Sequence, residues 1–198
     1  ALQGTGSVDV SVDDVFVPEE LTVNPLVQLR GGPQYQKIGF RGYVGGENVG
    51  FSLGVAQRML DEVAQLAPNK KRVLDPAPVG DRGAFQQELG RADATLRAAR
   101  AYAISELDRA MSLADASEAA LLPHDRTRLE AAIGWATETI VQAAARVFPY
   151  AGAGALHLSS PIQRTMRDLI GSGQHIVATN ETLDLWGKAL LEKAVPAP

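Results

Sequence analysis

Apolar residues recur at alternating spacings of three and four along three long stretches, and this spacing constrains the fold more than any other feature of the sequence. The stretches run from Leu53 to Ala67, from Phe85 to Ala114 and from Leu129 to Val147. Alanine recurs along them, which lets neighbouring helices approach closely. The sequence therefore predicts a mainly α chain that folds as an antiparallel up-and-down helix bundle.

The ends of these helices are marked by residues that start or stop helical backbone. We expect the first helix to begin after Gly46 and to end at Pro68, which cannot continue it. A loop over residues 69–80 then leads to Asp81, a suitable N-cap for the second helix. Pro123 suits the first position of the third helix.

A last helical stretch begins near residue 160. Ser160, Pro161 and Gln163 have the spacing of a capping box, with serine at the N-cap and glutamine at N3. Two glycines just after residue 170 weaken this helix. We expect helical structure to restart near Thr179 and to continue toward Leu191.

The N-terminal residues follow a different period. Between Ser7 and Val17 the apolar residues alternate with polar ones, which predicts a β-strand with a kink at Asp13-Asp14. A loop rich in proline and glycine is expected from Glu19 to Gly39. A lone strand leaves its edges unpaired, so this one is expected to pair outside the chain or with a second copy.

Composition excludes several classes of function. The 198 residues carry a net charge of −4 and no cysteine, which speaks against nucleic-acid binding and excludes thiolate metal sites. The three histidines have no metal-ligand spacing, and no nucleophile elbow or phosphate-binding loop motif occurs. Neither a signal peptide nor a membrane span is visible, so we expect a cytoplasmic protein with no bound metal.

Two segments resemble the acyl-CoA dehydrogenase superfamily. Residues 4–18, with the pattern V-x-V-D-D-V-x-V-P, resemble the last strand of its middle β-domain. Residues 150–168 resemble its glycine loop and the following P-x-x-R-x-x-R-D helix. The resemblance implies that residues 1–39 end the β-domain and residues 40–198 form the C-terminal helical bundle. It also implies a homo-oligomer, a dimer of dimers, and an N-terminal half that lies outside this chain.

The position of the dehydrogenase base indicates a particular branch. Short- and medium-chain dehydrogenases carry a tyrosine–glutamate pair after the arginine–aspartate, and the glutamate removes the substrate proton. The aligned residues here are His175 and Ile176, and isoleucine cannot accept a proton. A histidine at this place resembles the two-component flavin monooxygenases, in which an imidazole of near-neutral pKa can serve the proton transfers of oxygen chemistry. The plainer alternative for His175 is a solvated side chain.

Glu47 keeps a second reaction open. Isovaleryl and long-chain dehydrogenases carry their catalytic glutamate on the first helix of this domain, near the position of Glu47. A glutamate in the first turn of a helix also complements the helix dipole, which explains it without catalysis.

Four further residues are candidates for flavin binding. Lys71 and Arg72, in the run that begins at Lys70, lie near the place of the superfamily arginine that reaches the flavin pyrophosphate; a solvated loop is the alternative. Gly152 and Gly154 allow backbone to approach a phosphate or ribose. The family's phenylalanine–glycine pair is missing after Arg72, which suits loose use of free reduced FMN or FADH₂.

The resemblance as a whole implies a flavin-dependent oxidoreductase. We expect a two-component monooxygenase that uses reduced FAD or FMN and O₂ on a small-molecule substrate, with a flavin reductase as partner. The alternatives are an FAD-dependent acyl-CoA dehydrogenase, whose partner would be an electron-transfer flavoprotein, and a non-catalytic oligomerisation module.

Overall fold

A computed structural model describes residues 8–22, 33–73 and 75–194. Five helices account for most of these residues, and a two-stranded antiparallel hairpin joins the first two helices. The helices are α1 (Pro33–Leu66), α2 (Gly83–Asp115), α3 (Pro123–Val147), α4 (Pro161–Ser172) and α5 (Glu181–Ala194), and the strands are β1 (Lys71–Arg72) and β2 (Asp75–Pro78). No helix among the described residues has both the length and the apolar character that a membrane crossing requires.

The three stripes form the core of the bundle, as the sequence predicts. Most stripe residues are buried, and alanines of α2 and α3 lie at the contacts between helices. Lys37 Nζ, near the start of α1, donates to the carbonyl oxygen of Ala114 at the end of α2. Near the opposite ends, Arg146 of α3 lies 3.0 Å from Glu88 of α2. Long helices that are consecutive in the sequence are therefore antiparallel, and the predicted fold class is confirmed. The structure adds that α4 packs on α1 and α5 on α3.

Helix α1 begins earlier than predicted. Residues 33–39 were expected in a loop and the helix after Gly46, but α1 spans Pro33–Leu66 as two helical segments that meet at a kink at Gly39, whose φ is 79° and ψ 164°. Two of the glycines inside it serve close packing on α3. A β-carbon on Gly45 would lie 2.6 Å from Ile133, and one on Gly42 would lie 2.9 Å from Leu129. Close packing against α3 therefore outweighs the weak intrinsic helix propensity of glycine.

The predicted N-terminal strand is not present. Residues 8–13 and 15–18 have no regular secondary structure, and Val8, Val10 and Val12 are exposed. A strand exists only through hydrogen bonds to a neighbour, and the described residues offer this segment none. Asp14 has a φ of 47°, so the backbone does turn at the predicted kink. The first seven residues of the chain and residues 23–32 of the expected loop lie outside the described residues.

Two local predictions between α1 and α2 are wrong. The expected loop over residues 69–80 contains the hairpin, which is fixed by a backbone bond from Val79 N to Lys70 O of 2.7 Å. Asp81 lies in a 3-10 turn, and the N-cap of α2 is Arg82, without a side-chain cap bond. The turn places Asp81 one residue too early, because Arg82 is the residue that leaves extended backbone for the helix.

The last helices agree with the sequence in position but not in their capping. Ser160 is the N-cap of α4 and Pro161 its first residue, yet Ser160 makes no side-chain cap bond. The amide of Gln163 donates to His157 O at 3.3 Å instead of completing a capping box. The backbone N–H of Ser160 already binds the same carbonyl at 2.9 Å, so it has no need of the glutamine. Residues 173–180 form the expected break before α5.

Candidate functional site

A pocket of about 470 Å³ opens where the end of α1 faces the glycine turn and the start of α4. Its lining residues come from α1, from the residue that precedes β1 and from the turn between α3 and α4. They are Glu62, Gln65, Leu66, Lys70, Ala151, Gly154, Ala155, Ser160, Pro161 and Ile162. The pocket therefore joins the basic run to the glycine loop, two features that are about eighty residues apart in the sequence.

Gly152 shapes this pocket through its backbone. It has φ 70° and ψ −174°, a region that is practically reserved for glycine. A β-carbon on Gly152 would also lie 2.9 Å from Lys70 Cε and 3.2 Å from Lys70 Nζ. On Gly154 a β-carbon would be 3.9 Å from Lys70 Nζ, an ordinary contact. Gly152 is thus required by its backbone conformation, whereas the flexible end of Lys70 could move away from a β-carbon; neither reason applies to Gly154.

Two groups make the pocket attractive to an anion. The Lys70 ammonium forms no hydrogen bond or ion pair within the described part of the chain, so its charge is free for a ligand. The first turn of α4 also faces the pocket, with its leading backbone N–H groups uncapped by Ser160. Glu62 is the opposing charge, and its Oε1 accepts from Arg58 at 2.9 Å. The arrangement fits a phosphate at the Lys70 end of the pocket.

Lys71 and Arg72 do not line this pocket. Both are exposed on β1, while the neighbouring Lys70 is half-buried against the glycine turn. Lys70 is the residue that the sequence analysis did not single out. Its only signal was membership of the basic run, because the residue that turns inward is decided by how the hairpin folds back on α1.

His175 lies in the turn between α4 and α5, and its side chain is exposed. Its backbone N–H donates to Ser172 O at 3.3 Å, and its carbonyl accepts from Ala178 N at 2.8 Å. The ring atom Nδ1 accepts from Val177 N at 3.3 Å. Val177 and Ala178 are buried, so they anchor the turn from the inside.

A buried polar cluster connects this turn to α1. Ser52 of α1 is fully buried, and its Oγ lies 2.9 Å from Ser172 Oγ and 2.8 Å from Asn48 O. Ser172 Oγ in turn donates to Leu169 O at 2.7 Å. Asn48 Nδ2 donates to Ser172 O at 3.4 Å and to Thr137 Oγ1 of α3 at 3.3 Å. The cluster thus fixes the end of α4 against α1, three residues before His175.

Glu47 precedes Asn48 on α1 and is exposed. It lies more than one turn into the helical segment that follows the kink at Gly39, rather than in a first turn. The dipole explanation for Glu47 is therefore wrong. On the same face, β-carbons on Gly50 and Gly54 would meet nothing within 4 Å, so the surface beside the carboxylate is open.

Ile176, which the sequence resemblance aligns with the dehydrogenase base, is 58% exposed. It contributes no proton acceptor. Among the described residues, no three histidine, aspartate or glutamate side chains are grouped so that they could bind a metal ion.

The sequence was compared with protein families and with individual proteins. Residues 48–180 match the family described as acyl-CoA dehydrogenase, C-terminal domain. This chain belongs to that family. An indole-3-acetate monooxygenase from Pseudomonas putida is 30% identical over 183 residues, which are 88% of this chain and 44% of that protein. A pigment production hydroxylase from Rhodococcus is 27% identical over 85% of this chain and 45% of the relative.

Solved structures agree with this family assignment at the level of the fold. XiaF from Streptomyces, a structure in complex with FADH₂ and glycerol, superposes with a TM-score of 0.69 at 22% identity. The match covers 88% of this chain and 44% of that one. This member of the acyl-CoA dehydrogenase C-terminal family thus spans somewhat less than half the length of the relatives it matches.

Proposed function

We propose that this chain is the C-terminal helical part of a flavin-dependent monooxygenase that oxygenates a small-molecule substrate with O₂ and reduced flavin. The observation that carries the proposal is the α4–α5 turn, where an exposed histidine stands beside an isoleucine in place of a proton-abstracting glutamate. Similarity to an indole-3-acetate monooxygenase supports it. Similarity to a hydroxylase from another genus supports the same reaction class.

The proposed role of His175 is to hold or supply a proton at the reaction centre. Its Nδ1 accepts a hydrogen bond from Val177 N, which leaves Nε2 as the protonated nitrogen of the neutral ring. The side chain is exposed and its backbone is anchored, so Nε2–H can approach a ligand without rearrangement of the turn. When bound, reduced flavin would supply the two electrons that reduce one oxygen atom of O₂ to water while the other enters the substrate.

The proposed flavin-phosphate site is the pocket of Lys70 and the glycine turn. Lys70 supplies the charge, Gly152 the close backbone approach, and the start of α4 the N–H groups. Gly154 lines the same pocket and needs no side-chain space there. Lys71 and Arg72 remain candidates for a longer pyrophosphate or for a second subunit. FAD and FMN both present the phosphate that this site requires.

The remaining expectations accompany this proposal. Residues 1–39 would complete a β-domain and residues 40–198 would form the bundle domain. A dimer of dimers, a separate flavin reductase and a cytoplasmic location also stay predictions.

The test uses the intact enzyme that carries this chain, supplied with reduced flavin by a separate reductase. We expect O₂ uptake with formation of a hydroxylated product from indolic or phenolic compounds. Replacement of His175 by alanine should lower product formed per O₂ consumed, with hydrogen peroxide taking up the difference. Equal product yield in His175→Ala would remove the proposed role of the histidine.

One observation favours a second function. The Glu47 carboxylate is exposed on an open, glycine-lined helix face, where a substrate chain could lie. An acyl-CoA dehydrogenase would reduce tightly bound FAD on addition of an acyl-CoA, and Glu47→Gln would abolish that reduction. If the intact enzyme neither consumes O₂ nor oxidises an acyl-CoA, a purely structural assembly role is the remaining reading.

A further inference from the structure

The buried polar cluster between α1 and α4 has a feature that stability alone does not require. The other buried side chains described on α1 are apolar, and Ser52 and Ser172 are only 0% and 3% exposed. Buried hydroxyls cost free energy unless they are hydrogen-bonded, and a pair of apolar residues would pack the same space. What the cluster adds is a defined position for the end of α4.

The hydroxyl protons of this cluster are fully used. The two hydroxyl groups carry two protons and make three contacts. Ser172 Oγ lies 2.7 Å from Leu169 O, Ser52 Oγ lies 2.8 Å from Asn48 O, and the two Oγ atoms are 2.9 Å apart. Each hydroxyl can donate once and accept twice. A donation from Ser52 to Ser172 and onward to Leu169 O satisfies both, as does the reverse order toward Asn48 O. Either order ties Ser172 to α1 by a directional bond.

Ser172 transmits this position to His175 through its carbonyl oxygen. That oxygen accepts both the backbone N–H of His175 and the side-chain amide of Asn48. The turn then closes through Val177 N to His175 Nδ1 and Ala178 N to His175 O. A continuous path of hydrogen bonds therefore runs from Ser52 and Asn48 to the imidazole ring.

We infer that Asn48, Ser52 and Ser172 are positioning residues that fix the His175 turn and keep its ring as the Nε2–H tautomer, with Nε2 available to the ligand. The inference rests on the proposed function for the statement that Nε2 faces a ligand. The tautomer of the ring does not depend on the reaction. We call the hydrogen bonds of Asn48, Ser52 and Ser172 the clamp. Loss of the clamp lets the turn move, so the backbone N–H of Val177 no longer donates to His175 Nδ1.

The direct test is ¹⁵N NMR of the imidazole in the full chain, at a pH where His175 is neutral. Wild type should show a pyrrole-type Nε2 and a pyridine-type Nδ1. In Ser172→Ala and in the milder Ser52→Ala, both nitrogen signals should move toward their average, as in a tautomer mixture. Thr165→Val is the matched control, because Thr165 is buried on the same helix and bonds the Pro161 carbonyl at 2.9 Å. It should leave the His175 signals unchanged.

Turnover in the intact enzyme gives the second readout. Product formed per O₂ consumed should fall about fivefold in Ser172→Ala, the size expected from one lost hydrogen bond, with the affinity for reduced flavin unchanged. Unchanged His175 signals in both serine variants, or an equal change in Thr165→Val, would overturn the clamp. If His175→Ala leaves turnover intact while the NMR shifts occur, the proposed function fails and the positioning stands.

Discussion

Two groups of charged side chains on different sides of the bundle differ in how they are bonded. Between α2 and α3, the buried carboxylate of Glu106 receives bonds from Arg128 at 2.6 and 2.8 Å and from Arg109 at 2.9 Å, and Arg109 also binds Asp125 at 2.6 Å. At the end of α1, Lys70 forms no such bond with any described residue. A cation whose bonds are all made inside the protein stabilises the fold, whereas an unpaired one retains its capacity to bind a ligand.

The hydrogen-bonded clusters on the two sides of the bundle also differ in where they lead. The arginine cluster links α2 to α3, while the serine cluster of α1 and α4 leads to the exposed His175. The difference agrees with a structural α2–α3 flank and with the proposed site on the flank of α1 and α4. Substitutions on the two flanks should therefore separate stability from ligand binding.

The largest effect is expected on the structural flank. Glu106→Gln removes the charge that two arginines bind and leaves Arg128 without its carboxylate partner, while Arg109 keeps Asp125, so it should lower the free energy of unfolding by about 3 kcal/mol. Flavin affinity of the folded enzyme should not change. Chemical denaturation measures the first quantity, and Asp93→Asn is the control, since its pair with Arg97 lies on the surface of the same helix and should cost less than about 0.5 kcal/mol.

The pH dependence of this cluster has a defined sign. Burial alone would raise the pKa of Glu106, but the hydrogen bonds and charges of Arg128 and Arg109 outweigh it and lower the pKa below the ordinary 4.5. A lowered folded-state pKa contributes stability above the unfolded-state value, and this is lost as pH falls through the folded-state value. The stability gap between wild type and Glu106→Gln should thus narrow below about pH 4.5. A gap that stays constant down to pH 2 to 3 would contradict the assignment.

The next largest loss of stability is expected at the glycine turn beside Lys70. Gly152→Ala forces a β-carbon into a conformation reserved for glycine and against Lys70, so a loss of about 2 kcal/mol is expected. Gly154→Ala, two residues away, should cost less than about 0.5 kcal/mol because its β-carbon has room. Thermal or denaturant unfolding of both variants measures the difference. Equal losses would mean that the turn is not held as described.

The comparison is sharpest at Lys70. Lys70→Ala removes an unpaired charge, so stability should stay within about 0.5 kcal/mol of wild type. Affinity of the intact enzyme for reduced flavin should nevertheless fall about tenfold, as expected for a lost charge-assisted bond to phosphate. Lys71→Ala and Arg72→Ala are the controls from the same run. If either control lost as much flavin affinity as Lys70→Ala, or more, the phosphate would be bound by Lys71 and Arg72, as the sequence predicts.

The sequence predicted what depends on periodicity and missed what depends on neighbours. The stripes of α2 and α3 are buried because a spacing of three and four places residues on one helix face. The start of α1 could not be read in the same way, since Gly42 and Gly45 look like helix breakers until Leu129 and Ile133 are known to pack on them. Contacts between elements distant in the sequence leave no local pattern.

The site follows the same division. Gly152 stood out because a glycine pair in a loop is a local signal, and its φ of 70° shows that the turn needs glycine there; its part in flavin binding stays a prediction. Lys70 was not distinguished from its two basic neighbours, because its direction depends on the hairpin. Ser52 and Ser172, 120 residues apart, carry no signal of their contact.

The smallest effect tests a capping pattern that the structure does not realise. A capping box predicts that Ser160→Ala costs about 1 kcal/mol, but the Ser160 hydroxyl makes no cap bond, so less than about 0.5 kcal/mol is expected. Gln163→Ala should cost more, since its amide is buried and bound to His157 O. In a double-mutant cycle measured by denaturant unfolding, the two residues should show a coupling energy within about 0.3 kcal/mol of zero. A coupling near 1 kcal/mol would restore the capping box. It would also mean that the Ser160 hydroxyl, rather than a ligand of the Lys70 pocket, satisfies the first N–H groups of α4.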